Sequence, residues 1–138
     1  DVMGNLIAHK KGNGKRVMIS AHMDQIGMMV IDIDENGFLR FTNIGGISPI
    51  YSYGQQVVFE NGTVGVIFSE PVDDMSKVKL DKMYIDIGAL SKENAEEKVK
   101  IGDICIYKQD FVENENVVFT PYLDDRVGCF KGNRKSNK

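Results

Sequence analysis

Long apolar runs are missing from this chain. None reaches the ~18 residues that a membrane-spanning helix requires. Cysteine is scarce: Cys105 and Cys129 are the only two, too few for a disulfide framework or a four-cysteine zinc site. That scarcity fits a reduced, cytoplasmic setting. Three prolines against 14 glycines are not the composition of a disordered or collagen-like chain. No basic stripe is present and the net charge is −3, so neither nucleic acid nor a membrane is an expected partner. No secretory leader is expected at the start. What is present, 138 residues with 42% hydrophobic and 27% charged, suits a soluble domain around one core. The last eight residues, KGNRKSNK, hold four positive charges, no negative charge and no apolar side chain. They cannot add to a core and read as a disordered or non-native tail over 131–138.

Short β-rich segments dominate the rest. Asn5 to Ala8 reads as a short strand, Lys11 to Gly14 as a turn, and Arg16 to Ser20 as a buried strand. Ile26 to Ile33 and Phe38 to Thr42 flank Glu35-Asn36-Gly37, a tight turn because Asn and Gly tolerate positive φ. Gln56 to Glu60 and Thr63 to Phe68 flank a second such turn, Asn61-Gly62. Residues 45–54 have loop composition, and the Pro71-containing stretch 69–81 reads as an exposed connection. Met83 to Ile87, Ile104 to Tyr107 and Asn116 to Thr120 are further strands. One helix is expected, over 92–99, with Ser91 as N-cap, Glu93 in its first turn, Ala95 and Val99 on one inward face, and Gly102 beyond its end. The sum is a mainly antiparallel β-barrel or sandwich with one helix. Met18, Met28 and Met29 fit core filling, and His9 lies in an exposed, lysine-rich context.

Two clusters could carry chemistry. In Ala21-His22-Met23-Asp24 a neutral imidazole could bind zinc or cobalt while a carboxylate two residues on takes the proton of its other nitrogen. A histidine merely hydrogen-bonded to an aspartate fits the same spacing. In Asp124-Asp125-Arg126 an aspartate could bridge two metal ions, or the segment could be a solvated turn with an Asp–Arg pair. Spacing alone leaves both alternatives open. Gly45-Gly46 has no helix signal behind it and is not a phosphate cradle.

Taken in order, these segments resemble the glutamyl aminopeptidase and cellulase-M-like metallopeptidases, the family of the tetrahedral aminopeptidases. The resemblance is carried by Gly4-Asn5-Leu6-Ile7, VMISAHMDQIGMMV at 17–30, Gly45-Gly46, Gly54-Gln55-Gln56-Val57, Gly65-Val66-Ile67, MYIDIGALSKENAEEKVKIGD at 83–103 and LDDRVGC at 123–129. It implies His22 and Asp124 as metal ligands, Asp124 bridging, with Asp24 at the catalytic centre orienting His22. Asp125 occupies a variable position, and Gln25 replaces the usual glutamate at a position that is not a ligand. The implied cofactors are two divalent metal ions, zinc or cobalt. The implied activity is removal of N-terminal residues from a peptide substrate by an acidified water, with a glutamate moving the proton. A glycosidase would need paired carboxylates across a sugar site, and the two metal-type motifs account better for the acids.

The family's base and remaining ligands follow the DDRVG segment, and no Glu-Glu pair or histidine occurs after it here. The resemblance therefore implies a fragment, inactive by itself. Its expected parts are partial catalytic-domain strands over 1–25, an inserted PDZ-like β-barrel with one helix over 26–115, and a return to the α/β metallopeptidase catalytic domain over 116–130. A homo-oligomer is implied. The alternative is a non-catalytic β-barrel module for self-association, and a weaker one is a PDZ-type peptide groove beside the 92–99 helix.

Overall fold

The computed structural model describes residues 1–136 and divides the chain into two units: Gln25–Thr120, and Asp1–Asp24 together with the segment from Pro121 onward. In the first unit β1 (Gly27–Ile33), β2 (Leu39–Ile44), β3 (Gln56–Phe59), β4 (Val64–Ser69), β5 (Met83–Asp86) and β6 (Ile104–Tyr107) close a barrel in the order β1-β2-β5-β4-β3-β6, every pair antiparallel. The fold is mainly β, as the sequence implies. The barrel starts at β1 and so includes the first hairpin entirely.

Both Asn-Gly turns form. Gly37 has φ +85° and Gly62 φ +86°, a region open to glycine at no steric cost. Asp34 Oδ1 accepts from the amides of Asn36 and Phe38, each at 3.0 Å. Asn61 Oδ1 accepts from the Thr63 amide at 2.9 Å, while its Nδ2 donates to the Lys98 carbonyl at 2.6 Å. The second turn is thereby tied to the chain that follows the helix. Between Val30 and Asp32 the β1–β2 register shifts, and Ile31 turns outward.

Inward residues alternate with outward ones on β3 and β5 and through most of β2 and β4, as a closed pleated sheet requires, while β1 breaks the alternation at its register shift. Met28, Val30, Ile33, Leu39, Phe41, Val57, Phe59, Ile67, Met83, Ile85 and Cys105 form the core. Gly65 lets β4 approach β5: a Cβ there would stand 2.5 Å from Ile85 Cγ2 and 3.0 Å from the Asp86 carbonyl oxygen. The helix α2 is shorter than expected, Lys92–Glu96. Ser91 caps it by accepting from the Asn94 amide at 3.3 Å. The Lys98 and Val99 amides both donate to the Ala95 carbonyl at 2.9 Å, a tightened last turn that keeps Ala95 and Val99 fully buried.

The 45–54 loop contains α1 (Pro49–Ser52). Ser52 Oγ, buried, contacts the Ser48 carbonyl and the Tyr107 hydroxyl at 2.7 Å each. The 69–81 connection is mostly exposed, as expected, apart from Val78. It carries 3-10 turns at Met75–Lys77 and Leu80–Lys82, and Val78 enters the core. A separate hairpin pairs β7 (Val112–Asn114) with β8 (Val117–Phe119).

In the second unit no strand forms over 1–24. Asn5 to Ala8 and Arg16 to Ser20 join no sheet, with Val17 83% and Met18 88% exposed. Apolar, β-branched composition favours a strand only when neighbouring strands accept its backbone groups and cover its face, and no described segment does so here. The 123–129 segment opens a helix not expected from the sequence, α3 (Leu123–Ser136). The tail expectation for 131–138 meets backbone helix through Ser136; residues 137 and 138 lie outside the described residues. Among the described residues no helix is long and apolar enough to cross a membrane.

Candidate metal centre

The second unit brings His22, Asp24 and Asp124 together. The imidazole stands between two carboxylates, with Nδ1 2.9 Å from Asp24 Oδ1 and Nε2 3.3 Å from Asp124 Oδ1. Nδ1 also lies 3.1 Å from the Asp24 carbonyl oxygen. The Asp24 carbonyl foremost, then the charges of Asp24 and Asp124, raise the imidazole pKa above its ordinary value, against opposing desolvation. A neutral ring can donate from only one nitrogen. With Nδ1–H directed to Asp24, the Nε2 lone pair is left facing Asp124, an arrangement that suits a cation between them or a second proton.

Exposure helps decide what the trio is for. The side chains of His22 and Asp124 are 55% and 93% exposed. Ion pairs so open to water contribute little to stability, so the cluster does not hold the fold together. The 3.3 Å separation of Nε2 and Asp124 Oδ1 has a metal-site reading: two ligand atoms at about 2.0–2.2 Å from one tetrahedral ion are themselves about 3.4 Å apart. The donor chemistry and spacing fit one edge of a coordination shell. The count falls short, since among the described residues no group of three or more His, Cys, Asp and Glu is arranged to hold an ion.

The DDRVGC sequence explains how Asp124 is presented. Asp124 and Asp125 have non-helical backbone (φ −92°, ψ 107° and φ −115°, ψ 33°), and the peptide between them is cis. Regular helix begins only after them. Asp125 Oδ1 accepts from the Gly128 amide at 3.2 Å, the reach of an N-cap side chain to the third helical residue. Glycine at 128 leaves room for this bond, since a Cβ there would strike the Asp125 carboxylate. Asp125 thus caps the helix. Arg126, read from the sequence only as half of a possible Asp–Arg pair, and Cys129 both touch the His22–Met23 backbone. Arg126 Nε donates to the Met23 carbonyl at 3.2 Å and Cys129 Sγ to the His22 carbonyl at 3.4 Å. The signal for them is their spacing of three, one helix face, visible only once α3 is known to be a helix. His9 is exposed, as expected.

The family pattern of the M42 glutamyl aminopeptidases matches residues 4–131. A putative aminopeptidase of Acetivibrio thermocellus is 50% identical over 94% of this chain and 39% of its own length. Among solved structures, a TET aminopeptidase from a marine-sediment Thaumarchaeota archaeon superposes with TM-score 0.74 at 36% identity, over 88% of this chain and 38% of that one. The TET1 peptidase of Pyrococcus horikoshii, described as assembling into a tetrahedron or a large octahedral shell, gives TM-score 0.69 at 41% identity over 78% of this chain and 36% of that one. The chain belongs to the M42 glutamyl aminopeptidase family, and it spans about two-fifths of the length of these relatives.

Proposed function

We propose that this chain is part of a metal-dependent aminopeptidase that removes N-terminal residues from peptides, with His22 and Asp124 as ligands of a divalent ion, zinc or cobalt. The observation that carries the reading is the placement of His22 Nε2 opposite Asp124 Oδ1 while Nδ1 is held by Asp24. Asp24 fixes the tautomer and ring plane and increases the basicity of the coordinating nitrogen. When bound, such ions supply Lewis acidity toward a peptide carbonyl and acidify water. Asp124, with its two carboxylate oxygens, would contribute to holding both ions. The chain's own donors fall below the three protein ligands of a catalytic zinc site. The 138 residues alone are therefore proposed to hold metal weakly and to be inactive. A cytoplasmic location is part of the same proposal, supported by two cysteines that remain thiols.

The test is hydrolysis of aminoacyl-nitroanilides by the encoded reading frame that contains this chain. Chelator-sensitive turnover that His22→Ala lowers at least a hundredfold supports the reading. Activity unaffected by both chelator and His22→Ala contradicts it.

A second reading, self-association of the β-barrel unit, is favoured by the β7–β8 hairpin. Its residues are exposed throughout, and Phe111, Val117 and Phe119 are each more than half exposed. Apolar side chains grouped in this way commonly mark contact surfaces. The assemblies described for the Pyrococcus horikoshii relative point the same way.

A further inference from the structure

We propose that Arg126 and Cys129 are positioning residues that set the distance between His22 and Asp124 by holding the His22–Met23 backbone against α3. This rests on the reading of His22 and Asp124 as metal ligands. Two consecutive carbonyls, those of His22 and Met23, are taken by two side chains one helical turn apart, at 3.4 and 3.2 Å. Holding both carbonyls holds the peptide planes on the C-terminal side of the His22 Cα, and so narrows the positions from which its side chain can start. Asp124 immediately precedes the helical turn that Asp125 caps. One short element therefore sets both halves of the ligand pair.

The guanidinium is itself steadied. Arg126 Cζ lies 5.1 Å from the centroid of the Tyr122 ring, within reach of a cation–π contact. That contact leaves Nε directed at Met23. The Arg126 bond is charge-assisted and the stronger of the two; the thiol is a weak donor. Arg126 is exposed, so removing its bond changes global stability little. Its effect belongs in metal affinity, where loss of groups that orient ligands typically costs about 10–100-fold.

The experiment uses the 138-residue chain and zinc chloride as probe at fixed pH, read by the ring carbon–proton NMR signals of the two histidines, assigned with His9→Ala. Zinc is expected to shift the His22 signal and not that of His9. Arg126→Gln is expected to raise the half-shift zinc concentration about tenfold while the denaturation midpoint stays put. Arg126→Lys, which keeps a cationic donor, recovers part of the loss. Cys129→Ala raises the concentration about two- to threefold, in keeping with a weaker donor. Half-shift concentrations within twofold of the unsubstituted chain for both Arg126→Gln and the Arg126→Gln/Cys129→Ala double variant overturn the positioning role and leave the ligand assignment intact. No response of His22 to millimolar zinc in the unsubstituted chain overturns the ligand assignment and the positioning role with it.

Discussion

Replacing Gly65 by alanine adds one methyl group where β4 meets β5, and the structure says what it meets. The new Cβ would lie 2.5 Å from Ile85 Cγ2, 3.0 Å from the Asp86 carbonyl oxygen and 3.0 Å from Ile87 Cγ2. Ile85 is fully buried and cannot step aside without moving its neighbours. Overpacking of this kind costs about 1–3 kcal/mol, partly offset by the ~0.4–1 kcal/mol that alanine gains over glycine through a less flexible unfolded chain. Ile85→Ala alone opens a cavity and costs about 2–5 kcal/mol. In the double variant the added methyl occupies space that the isoleucine has vacated. Its cost is therefore expected to fall below the sum of the two single costs by about 1–2 kcal/mol. Denaturant unfolding followed by circular dichroism and tyrosine fluorescence, with unchanged m-values, measures all three. Additivity within about 0.5 kcal/mol, or a neutral Gly65→Ala, refutes the close approach of these strands.

Other outcomes follow from the cysteines, the cap and the exposed hairpin. Burial pushes the Cys105 thiol up from 9.0 to about 12, so at pH 8 a thiol reagent modifies Cys129 in the native chain and reaches Cys105 only on unfolding. Because the folded pKa is the raised one, this thiol's contribution to stability is complete below pH 9 and is lost between about pH 9 and 12, reaching about 4 kcal/mol; Cys105→Ala should flatten that alkaline decline. Asp125→Ala should destabilise the first turn of α3 by about 1 kcal/mol, seen as faster exchange of the Gly128 amide, and Asp125→Asn should restore most of the protection. Light scattering should give a mass above that of one chain, and Phe111→Ser/Phe119→Ser should lower it; a strict monomer at millimolar concentration contradicts the self-association reading.

How much was legible in the sequence depended on whether the signal was local. Asn36-Gly37 and Asn61-Gly62 specify hairpins through φ alone, and Ser91 specifies a helix start through one hydroxyl; all three formed. The barrel's alternation was readable in β3 and β5, where Val57, Phe59, Met83 and Ile85 point inward. Arg16 to Ser20 misled because strand propensity is realised only against neighbouring strands. Helix α3 was missed because Leu123–Ser136 includes Gly128 and Gly132, poor helix formers, and lacks a clear apolar stripe. Its cap, an aspartate with glycine three residues on, was present in the sequence but was weighed only as ligand or turn. His22, Asp24 and Asp124 were singled out as a group by resemblance, and the structure places their side chains side by side. Their convergence depends on a chain separation of about a hundred residues, which no local pattern carries.

Anomalous diffraction from zinc-soaked crystals of the chain is the most direct measurement. A zinc peak is expected about 2.0–2.2 Å from both His22 Nε2 and an Asp124 carboxylate oxygen, with the Asp24 carboxylate on Nδ1 and solvent or a neighbouring chain completing the shell. Zinc bound elsewhere, or a His22 ring turned away from Asp124 in its presence, would contradict it.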